Sequence, residues 1–382
     1  MGRIKPMPSS PLDLDRLREA LALAESSFGL TEPNPRVGCV IGHQDGRILG
    51  RGATQQAGGP HAEVMALRDA SAAGHSVRGA TAWVTLEPCA HHGRTPPCCD
   101  ALIAAGITRV VVALADPFPA VNGTGMARLR AAGIEVVMAS AEIAAAAHDL
   151  NVGFFSRVQR GRPWLRLKIA ASLDGTTALH NGRSQWITGE DARRDGHAWR
   201  RRASAVLTGI GTVLADNPRL DVRLVPTPAQ PLRVVLDSRF QLPATSRLLD
   251  APGKVLVIGA ADPGPAAQAL RERGAELRVA PGAAGQVDLA AMLKLLADRG
   301  VNELHVEAGA RLNGALLQAG LVDEVLLYLA PMLLGAGLPM AAMGPFDSLA
   351  RQVRLQGLRC EPVGADLRLR ARVVEDLGRA SD

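Results

Sequence analysis

Residues 61–70 read HAEVMALRDA and residues 84–103 read VTLEPCAHHGRTPPCCDALI, and these two stretches decide the fold. The first follows a Gly-Gly-Pro turn and carries apolar residues at helical spacing, so it predicts a helix. In the second, an apolar strand runs into a polar loop, and the prolines before Cys98 suit the first turn of another helix. Strands and helices that alternate in this way predict an α/β layer sandwich.

The same alternation continues on both sides of these stretches and divides the chain into two predicted domains. Further strands such as VGCVIG and RVVVALADP, and helices such as GMARLRAAG, complete a first domain over residues 1–150. The stretch NVGFFSRVQRGRP breaks the pattern, and its Gly and Pro predict a linker over residues 151–163. From residue 164 the alternation resumes, with strands such as LRVVLDS and NELHVEAG, and predicts a second α/β domain over residues 164–382.

Three residues near predicted helix starts have the chemistry of a zinc site. They are His61, Cys89 and Cys98. A thiol at a helix N-terminus has a lowered pKa, which favours the thiolate that zinc needs. Three protein ligands leave the fourth tetrahedral position open, which is typical of catalytic zinc. Glu63 is two residues from His61 and can move a proton between water and a leaving amine, as in zinc nucleobase deaminases.

Other residues compete for these roles. Cys99 is expected to face the core, and it is the alternative ligand if the helix phase differs. His91 and His92 compete with His61, although neither stands in an H-x-E context. A structural zinc would need a fourth protein ligand, which Cys99 or His92 could supply. Cys39 and Cys360 are interpreted as buried small apolar residues.

Composition limits the classes of function that fit this chain. The 382 residues include 47% hydrophobic and 21% charged residues, typical of a globular protein with more than one domain. Five Cys argue against a disulfide framework, and no apolar run suits a membrane span or signal peptide, so a cytoplasmic protein is expected. The net charge of +6 suits a phosphorylated small molecule. Nucleic acid is not expected, because only four Trp, one Tyr and six Phe are available for stacking.

Several long motifs resemble one enzyme family. PNPRVGCVI (33–41), GGPHAEVMAL (58–67) and VTLEPCAHHGRTPPCCDALI (84–103) are similar to the deaminase half of the bifunctional RibD family of riboflavin biosynthesis. LKIAASLDG, SQWITG, TVLADNPRLDVR and LHVEAG are similar to its reductase half. The nine-residue step from Cys89 to Cys98, longer than in P-C-x-x-C deaminases, is also typical of this family. The resemblance covers nearly the whole chain.

The resemblance implies a cytidine-deaminase-like α/β/α sandwich followed by a dihydrofolate-reductase-like α/β domain. It implies zinc-dependent deamination of a phosphoribosylaminopyrimidine and then NADPH-dependent reduction of its ribosyl group to ribityl. His61, Cys89 and Cys98 would bind one zinc ion, and Glu63 would shuttle protons. Association into a homo-oligomer would be typical of the family.

The resemblance also implies the residues that contact the two small molecules. NADPH contacts are expected at Ala170, Trp186, Thr212, Asp216, Ser238, Gly309, Ala310, Arg311, Leu312, Asn313, Gly314 and Ala315. Substrate contacts are expected at Asn34, Ser184, Arg200, Leu220, Arg223 and Glu307. Arg200 and Arg223 could hold the substrate phosphate through bidentate guanidinium forks, and Glu307 could hold ribose hydroxyls. Asn34 could instead be a turn residue between two prolines.

The reductase half leaves three points open. It lacks the G-x-G-x-x-G fingerprint, so Gly309 and Gly314 are expected to flank a helix N-terminus that receives the pyrophosphate. Ala308 stands where the family often has glycine, and it would crowd the cofactor loop if that position needs a positive φ. Lys168 could contact cofactor or ribose, or form a structural ion pair.

Three rival hypotheses remain at this stage. A tRNA or cytidine deaminase shares the H-A-E and P-C elements but leaves the second domain unexplained. A non-catalytic zinc-binding module does not require Glu63. The third is a chain that has kept only one of the two activities, in which Ala308 would account for loss of the reductase.

Overall fold

The computed structural model describes residues 10–91, 96–118 and 122–374. The chain divides into two compact units, Met1–Gly161 and Arg162–Asp382, and each is described by itself. Among the described residues, no helix combines the length and the apolar character that crossing a membrane requires.

The first unit is a five-stranded sheet between helices. Its strands are β1 (Gly38–Gly42), β2 (Ile48–Ala53), β3 (Thr81–Val84), β4 (Arg109–Val112) and β5 (Glu135–Met138). Its helices are α1 (Pro11–Glu25), α2 (Ala62–Ala72), α3 (Cys98–Ala104), α4 (Thr124–Ala131), α5 (Ala141–Leu150) and α6 (Val152–Arg160). The strand order is β2-β1-β3-β4-β5. β1 is antiparallel to both its neighbours, whereas β3, β4 and β5 are parallel.

Alternation along the strands builds two apolar layers. Val40, Trp83 and Val111 are buried together with residues of α1 and α5. Cys39 and Val84 belong to the core cluster that includes residues of α2, α3 and α4. Because successive strand residues point to opposite faces, this sheet is covered on both sides, which is the α/β/α sandwich expected from the sequence.

The stretch predicted to be a linker is helical over most of its length. α6 buries Phe154 and Phe155, and the Asn151 side chain bonds to both the backbone N–H and the carbonyl of Arg36. The helix ends at Gly161, whose φ of +67° suits glycine. The Gly and Pro signal therefore marks the end of α6, while the apolar residues before it belong to the core of the first unit.

The second unit has a nine-stranded sheet among its described residues. The strands of the unit, two of which lie outside this sheet, are β6 (Trp164–Ser172), β7 (Thr176–Leu179), β8 (Ala205–Gly209), β9 (Leu232–Leu236), β10 (Val255–Gly259), β11 (Glu276–Val279), β12 (Glu303–Val306), β13 (Glu324–Ala330), β14 (Gly337–Pro339), β15 (Leu355–Val363) and β16 (Asp366–Val373). Its helices are α7 (Glu190–Arg202), α8 (Ile210–Asp216), α9 (Arg247–Asp250), α10 (Gln268–Glu272), α11 (Leu289–Asp298) and α12 (Ala310–Gln318). The order is β11-β10-β9-β8-β12-β6-β13-β16-β15, and β7 pairs with β14 separately.

Seven neighbouring strands of this sheet, from β11 to β13, are parallel. Buried Leu, Ile and Val residues of these strands form the main core with α11 and α12. Ligands bind at the carboxyl edge of parallel strands in such sheets, so the loops after β6, β8, β9 and β12 are the place for a cofactor.

The last two strands of the sheet differ from the pattern seen in the sequence. β16 and β15 add an antiparallel edge that the alternating apolar motifs do not predict. Eight of the nine residues of β15 are exposed, because nothing in this chain covers that edge among the described residues. Cys360 lies on β15 and is exposed, so its interpretation as a buried thiol is wrong.

Candidate metal centre and reductase site

His61 and Glu63 are positioned by the start of α2. His61 is the N-cap residue of this helix, and Glu63 is the second residue inside it. The helix lies directly on β2, as the close approach at Gly52 shows. A Cβ added to Gly52 would be only 2.2 Å from the carbonyl oxygen of Ala62. Glycine in β2 thus brings the first turn of α2 close to the sheet. Glu63 is buried there, with an exposed fraction of only 3%.

Cys89 and Cys98 meet across the loop between β3 and α3. Cys98 is the first residue of α3, and its backbone N–H donates to the Cys89 sulfur at 3.4 Å. The N–H of Cys99 donates to the Cys89 carbonyl at 3.2 Å. On the other side, a Cβ on Gly125 would lie 1.9 Å from the carbonyl oxygen of Pro88. The first turns of α3 and α4 therefore hold the Pro88–Cys89 segment between them.

The three predicted ligands converge on one point. Their ligand atoms all lie within 4.8 Å of one another. The Nδ1 atom of His61 is 3.6 Å from the Cys89 sulfur and 3.3 Å from the Cys98 sulfur. Tetrahedral zinc with Zn–S near 2.3 Å and Zn–N near 2.05 Å would separate nitrogen and sulfur by about 3.6 Å. One imidazole and two sulfurs at this spacing fit zinc in both donor chemistry and geometry.

The protonation state of the cluster is uneven. A hydrogen bond with the Cys98 thiol lowers the pKa of Cys89 to about 4, although burial opposes this, and His61 acts in the same direction. The same bond and burial raise the pKa of Cys98. Burial and the negative Cys89 raise the pKa of Glu63. One sulfur is ready to bind a cation, and the other must release its proton when zinc binds.

Cys99 faces the core, as expected, and is not one of the converging groups. Its thiol is fully buried and donates to the carbonyl oxygens of Pro88 and Gly125, at 3.3 and 3.4 Å. Burial raises the pKa of Cys99 to about 12, so a thiolate is disfavoured. Cys39 is also buried, on β1.

His91 gives no support to a four-ligand site. It is exposed, and its ring lies 6.2 Å from that of Phe118. His92, the other competing histidine, lies outside the described residues. In the part of the chain that is described, the one group of metal-binding side chains is His61, Cys89 and Cys98.

Asn34 lies in a turn next to β1. Its backbone N–H donates to the carbonyl of Thr31 at 2.9 Å, which agrees with the alternative interpretation as a turn residue. Its contact with the pyrimidine ring remains a prediction.

In the second unit, several predicted cofactor residues collect at the carboxyl edge of the parallel strands. Ala170 is near the end of β6, and Ser238 follows β9. Thr212 is in the first turn of α8, after β8, and Gly309 caps α12, after β12. A Cβ on Gly309 would lie 3.8 Å from the Thr212 hydroxyl, so these two residues are neighbours. The N-termini of α8 and α12 thus offer backbone N–H groups and positive dipole ends at one edge.

The α12 segment divides into an open start and a packed middle. Gly309 is at the helix N-terminus, as expected, with Ala310, Arg311 and Leu312 in the first turn. Gly314 is in the middle of the helix, so it does not flank the helix N-terminus as expected. A Cβ at this position would lie 2.1 Å from the Ala342 carbonyl oxygen, and its contact with NADPH remains a prediction.

The neighbours of Gly314 differ in exposure. Asn313 is buried and donates to the Met340 carbonyl at 2.8 Å, whereas Ala315 is exposed. Ala308 is not among the described non-glycine residues with positive φ, so alanine does not strain the loop there.

Two further predicted contacts lie on the α7 side of the site. The Ser184 hydroxyl is 3.4 Å from an Asp216 carboxylate oxygen, which brings a predicted substrate residue to a predicted cofactor residue. Trp186 is 65% exposed, and its ring stacks on the Arg193 guanidinium at 4.7 Å. An indole this exposed offers a stacking surface, and its contact with NADPH remains a prediction.

Glu307 follows β12 at this edge and is surrounded by cations. Arg200 binds it with both arms of its guanidinium, at 2.5 and 2.9 Å, and Lys168 lies 4.0 Å away. Arg200 keeps the pKa of Glu307 well below its ordinary value despite burial, with help from Lys168. Both arms of the Arg200 guanidinium are bound to Glu307, so the expected contact of Arg200 with the substrate phosphate remains a prediction.

The loop after α8 presents a different set of cations. Arg219 and Arg223 each contact the buried carboxylate of Asp221, at 3.0 and 2.7 Å, and their side chains are 34% and 45% exposed. Leu220 is buried and has a φ of +55°, and its contact with the substrate remains a prediction. Sequence reasoning missed Arg219 and Asp221. The charge pattern R-L-D-V-R, with one acidic residue between two arginines, was the available signal for this ion-pair cluster.

A sandwich with this metal cluster and a buried Glu, joined to a sheet with a cofactor edge, defines the class: a two-domain zinc-dependent deaminase and NADPH-dependent reductase. Residues 12–114 match the cytidine and deoxycytidylate deaminase zinc-binding region, and residues 163–369 match the RibD C-terminal domain. The chain belongs to the RibD family, the bifunctional deaminase/reductases of riboflavin biosynthesis.

Relatives and solved structures agree over nearly the whole chain. The riboflavin biosynthesis protein RibD of Escherichia coli K12 is 46% identical over 338 residues, 84% of this chain and 88% of that protein. That of Aquifex aeolicus is 40% identical over 356 residues, 93% and 97% of the two chains. The structure of Acinetobacter baumannii RibD superposes with a TM-score of 0.84 at 41% identity, covering 95% of this chain and 99% of that one. A deaminase/reductase from Thermotoga maritima gives 0.84 at 33% identity with the same coverage.

Proposed function

We propose that this chain converts 2,5-diamino-6-(5-phosphoribosylamino)pyrimidin-4(3H)-one to 5-amino-6-(5-phosphoribosylamino)uracil and then reduces the ribosyl group to ribityl. The observation that carries the first step is the convergence of His61, Cys89 and Cys98 beside the buried Glu63. The second step rests on the paired helix N-termini and on Glu307, which a bound ribose could reach at the same sheet edge.

In the deamination, the oxygen of water replaces the 2-amino group of the ring and ammonia leaves. Zinc held by the three ligands supplies a Lewis acid that makes water nucleophilic near neutral pH. Glu63 accepts the proton of the attacking water and returns it to the departing amine. Burial supports this role, because a raised pKa brings a carboxyl group closer to the pH at which it exchanges protons.

In the reduction, a hydride is added at C1′ of the sugar and a proton at the ring oxygen, which becomes a hydroxyl group. NADPH supplies the hydride, so the protein's task is to position the two molecules. Glu307 stays ionised beside Arg200 and can accept hydrogen bonds from ribose hydroxyls. Lys168 lies 4.0 Å from this carboxylate and would be within reach of the same sugar.

We assign the phosphate of the substrate to residues 219–223, which we call the Asp221 loop. Arg223 was expected there, and Arg219 is held beside it by the same carboxylate. Each of the two uses one nitrogen on Asp221, which leaves further N–H groups of two partly exposed guanidinium ions for an anion. Arg200 supports the site by fixing Glu307.

The test of the deaminase proposal is Glu63→Gln, with Glu25→Gln as the matched control on an exposed residue of α1. Glu63→Gln should retain zinc but deaminate at least about a hundredfold more slowly, because proton transfer is lost. Reduction of the deaminated substrate should be unchanged. Deamination at the wild-type rate by Glu63→Gln would refute the proposal, and so would an equal loss in Glu25→Gln.

Two finer points belong to the same proposal. We place the protein in the cytoplasm, which its five free cysteines support. We expect a homo-oligomer, because the exposed edge strand β15 carries Leu355 and Leu358 with exposed fractions of 50% and 63%. Leu358→Arg should lower the mass measured by light scattering, with Leu173→Arg, also exposed, as the control.

A further inference from the structure

The backbone of the Asp221 loop is held by three side chains. Arg200 donates to the Asp221 carbonyl at 2.9 Å. Gln230 accepts from the Val222 N–H at 2.7 Å and donates to the Val222 carbonyl at 2.8 Å. His197 accepts from the Arg223 N–H through its Nδ1 atom at 3.1 Å. Three consecutive residues, 221–223, are thus fixed by two side chains of α7 and by Gln230, which lies further along the same connection.

The loop needs this support because its conformation is unfavourable. Leu220 has a φ of +55°, in the left-handed region that residues other than Gly, Asn and Asp rarely adopt. Such a conformation persists only when the surrounding structure imposes it. Side-chain bonds on the three residues that follow can impose it.

His197 is suited to a permanent acceptor role. Its side chain is buried in α7, one helical turn before Arg200. Burial lowers the pKa of His197 to about 4, and the nearby Arg200 and Arg223 act in the same direction, against Glu307 and Asp221. The neutral ring therefore carries its proton on Nε2, and Nδ1 stays available to the Arg223 N–H.

We propose that His197 and Gln230 are positioning residues that fix the Leu220–Arg223 loop so that Arg223 meets the substrate phosphate. The inference rests on the proposed function of the reductase half. Neither residue is among the expected contacts, and both act on the backbone, whereas Asp221 orients the guanidinium groups. A shifted backbone would move Arg219 and Arg223 together, since both are bound to Asp221.

The variants follow from the geometry of each bond. His197→Leu removes the acceptor, whereas His197→Asn places an amide oxygen near the position of Nδ1. Gln230→Met removes both bonds to Val222 at nearly the same volume, whereas Gln230→Glu keeps the acceptor. The reductase KM for the deaminated substrate should rise about tenfold in His197→Leu and Gln230→Met, as for an unsatisfied buried N–H. His197→Asn should return to within about threefold of the wild type.

A second substrate distinguishes positioning from general damage. With the nucleoside that lacks the phosphate, wild type and His197→Leu should have the same kcat/KM, because the misplaced arginines no longer matter. The NADPH affinity and the deaminase rate should be unchanged in all four variants. An equal loss on both substrates, or a wild-type KM in His197→Leu and Gln230→Met, would overturn the inference. Failure of the wild type itself to reduce the substrate would instead refute the proposed function.

Discussion

Replacement of Glu307 by Gln tests the reductase site with a change of one atom. The carboxylate is 16% exposed and makes two charge-assisted hydrogen bonds with Arg200, at 2.5 and 2.9 Å. Gln keeps the shape but offers one acceptor, and its NH₂ group would face a guanidinium. A hydrogen bond to a charged group contributes about 1.5–3 kcal/mol, so losing one to Arg200 or ribose should lower kcat/KM about 30-fold, within a range of roughly 10- to 150-fold.

The structure provides a matched control for this variant. Glu324 is also a buried glutamate paired with arginines, Arg166 at 2.6 Å and Arg370 at 2.9 Å. It is the first residue of β13, at the opposite edge of the parallel strands from Glu307. Glu324→Gln should lower the stability of the unit but leave the reductase KM near the wild-type value.

The assay follows NADPH oxidation at 340 nm with the deaminated substrate, and the deaminase rate of the same sample serves as the internal reference. We expect reduction to fall in Glu307→Gln alone, with deamination unchanged in both variants. Reduction within threefold of the wild type in Glu307→Gln would refute the assignment of this edge as the substrate site. A comparable fall in Glu324→Gln would show that the effect comes from lost stability.

Three other predictions follow from the geometry. Gly125→Ala should weaken zinc binding about tenfold or more, because the Cβ of the new alanine would displace the Pro88 carbonyl beside Cys89. Competition with a chelator measures the zinc affinity. The control is Gly196→Ala, which should have no effect because a Cβ there meets nothing within 4 Å. Cys99→Ser should still bind one zinc ion per chain, since a hydroxyl can donate to the same two carbonyls. Cys98→Ser should lose most of the metal. Equal zinc content in the two variants, measured by mass spectrometry, would contradict the ligand set. The pKa of His197 in the folded protein is about 4, below its ordinary 6.5, so its contribution to stability is complete above pH 6.5 and is lost as the pH falls from 6.5 to about 4. The midpoint temperature of unfolding should therefore drop more over this pH range in the wild type than in His197→Asn. Parallel curves for the two proteins would contradict the argument.

The grouping of His61, Cys89 and Cys98 could be predicted from the sequence because their positions are set by local structure. His61 caps a helix and Cys98 begins one, so their positions follow from turn and helix signals within a few residues. The phase of α3 then decides between Cys98 and Cys99, and the prediction of Cys99 as a core residue is confirmed. The strand Thr81–Val84 and the parallel β3–β4 pair likewise follow from apolar runs between turns.

Features that depend on distant partners could not be predicted in this way. Whether Arg200 binds a phosphate or a carboxylate depends on Glu307, which is 107 residues away in sequence. The packed role of Gly314 depends on a carbonyl at residue 342, which helical periodicity does not report. The helix over Val152–Arg160 was obscured by the glycine and proline that follow it. Local patterns set the elements, whereas the partners of a side chain are set by how the sheet brings loops together.

The most direct test of the central claim is product analysis by mass spectrometry. The zinc-loaded protein is incubated with the diaminopyrimidine ribosyl phosphate, first without and then with NADPH. We predict loss of the amino group alone in the first stage, seen as exchange of NH for O, and a gain of two hydrogens once NADPH is added. An unchanged substrate in the first stage, from protein shown to hold one zinc ion per chain, would contradict the account.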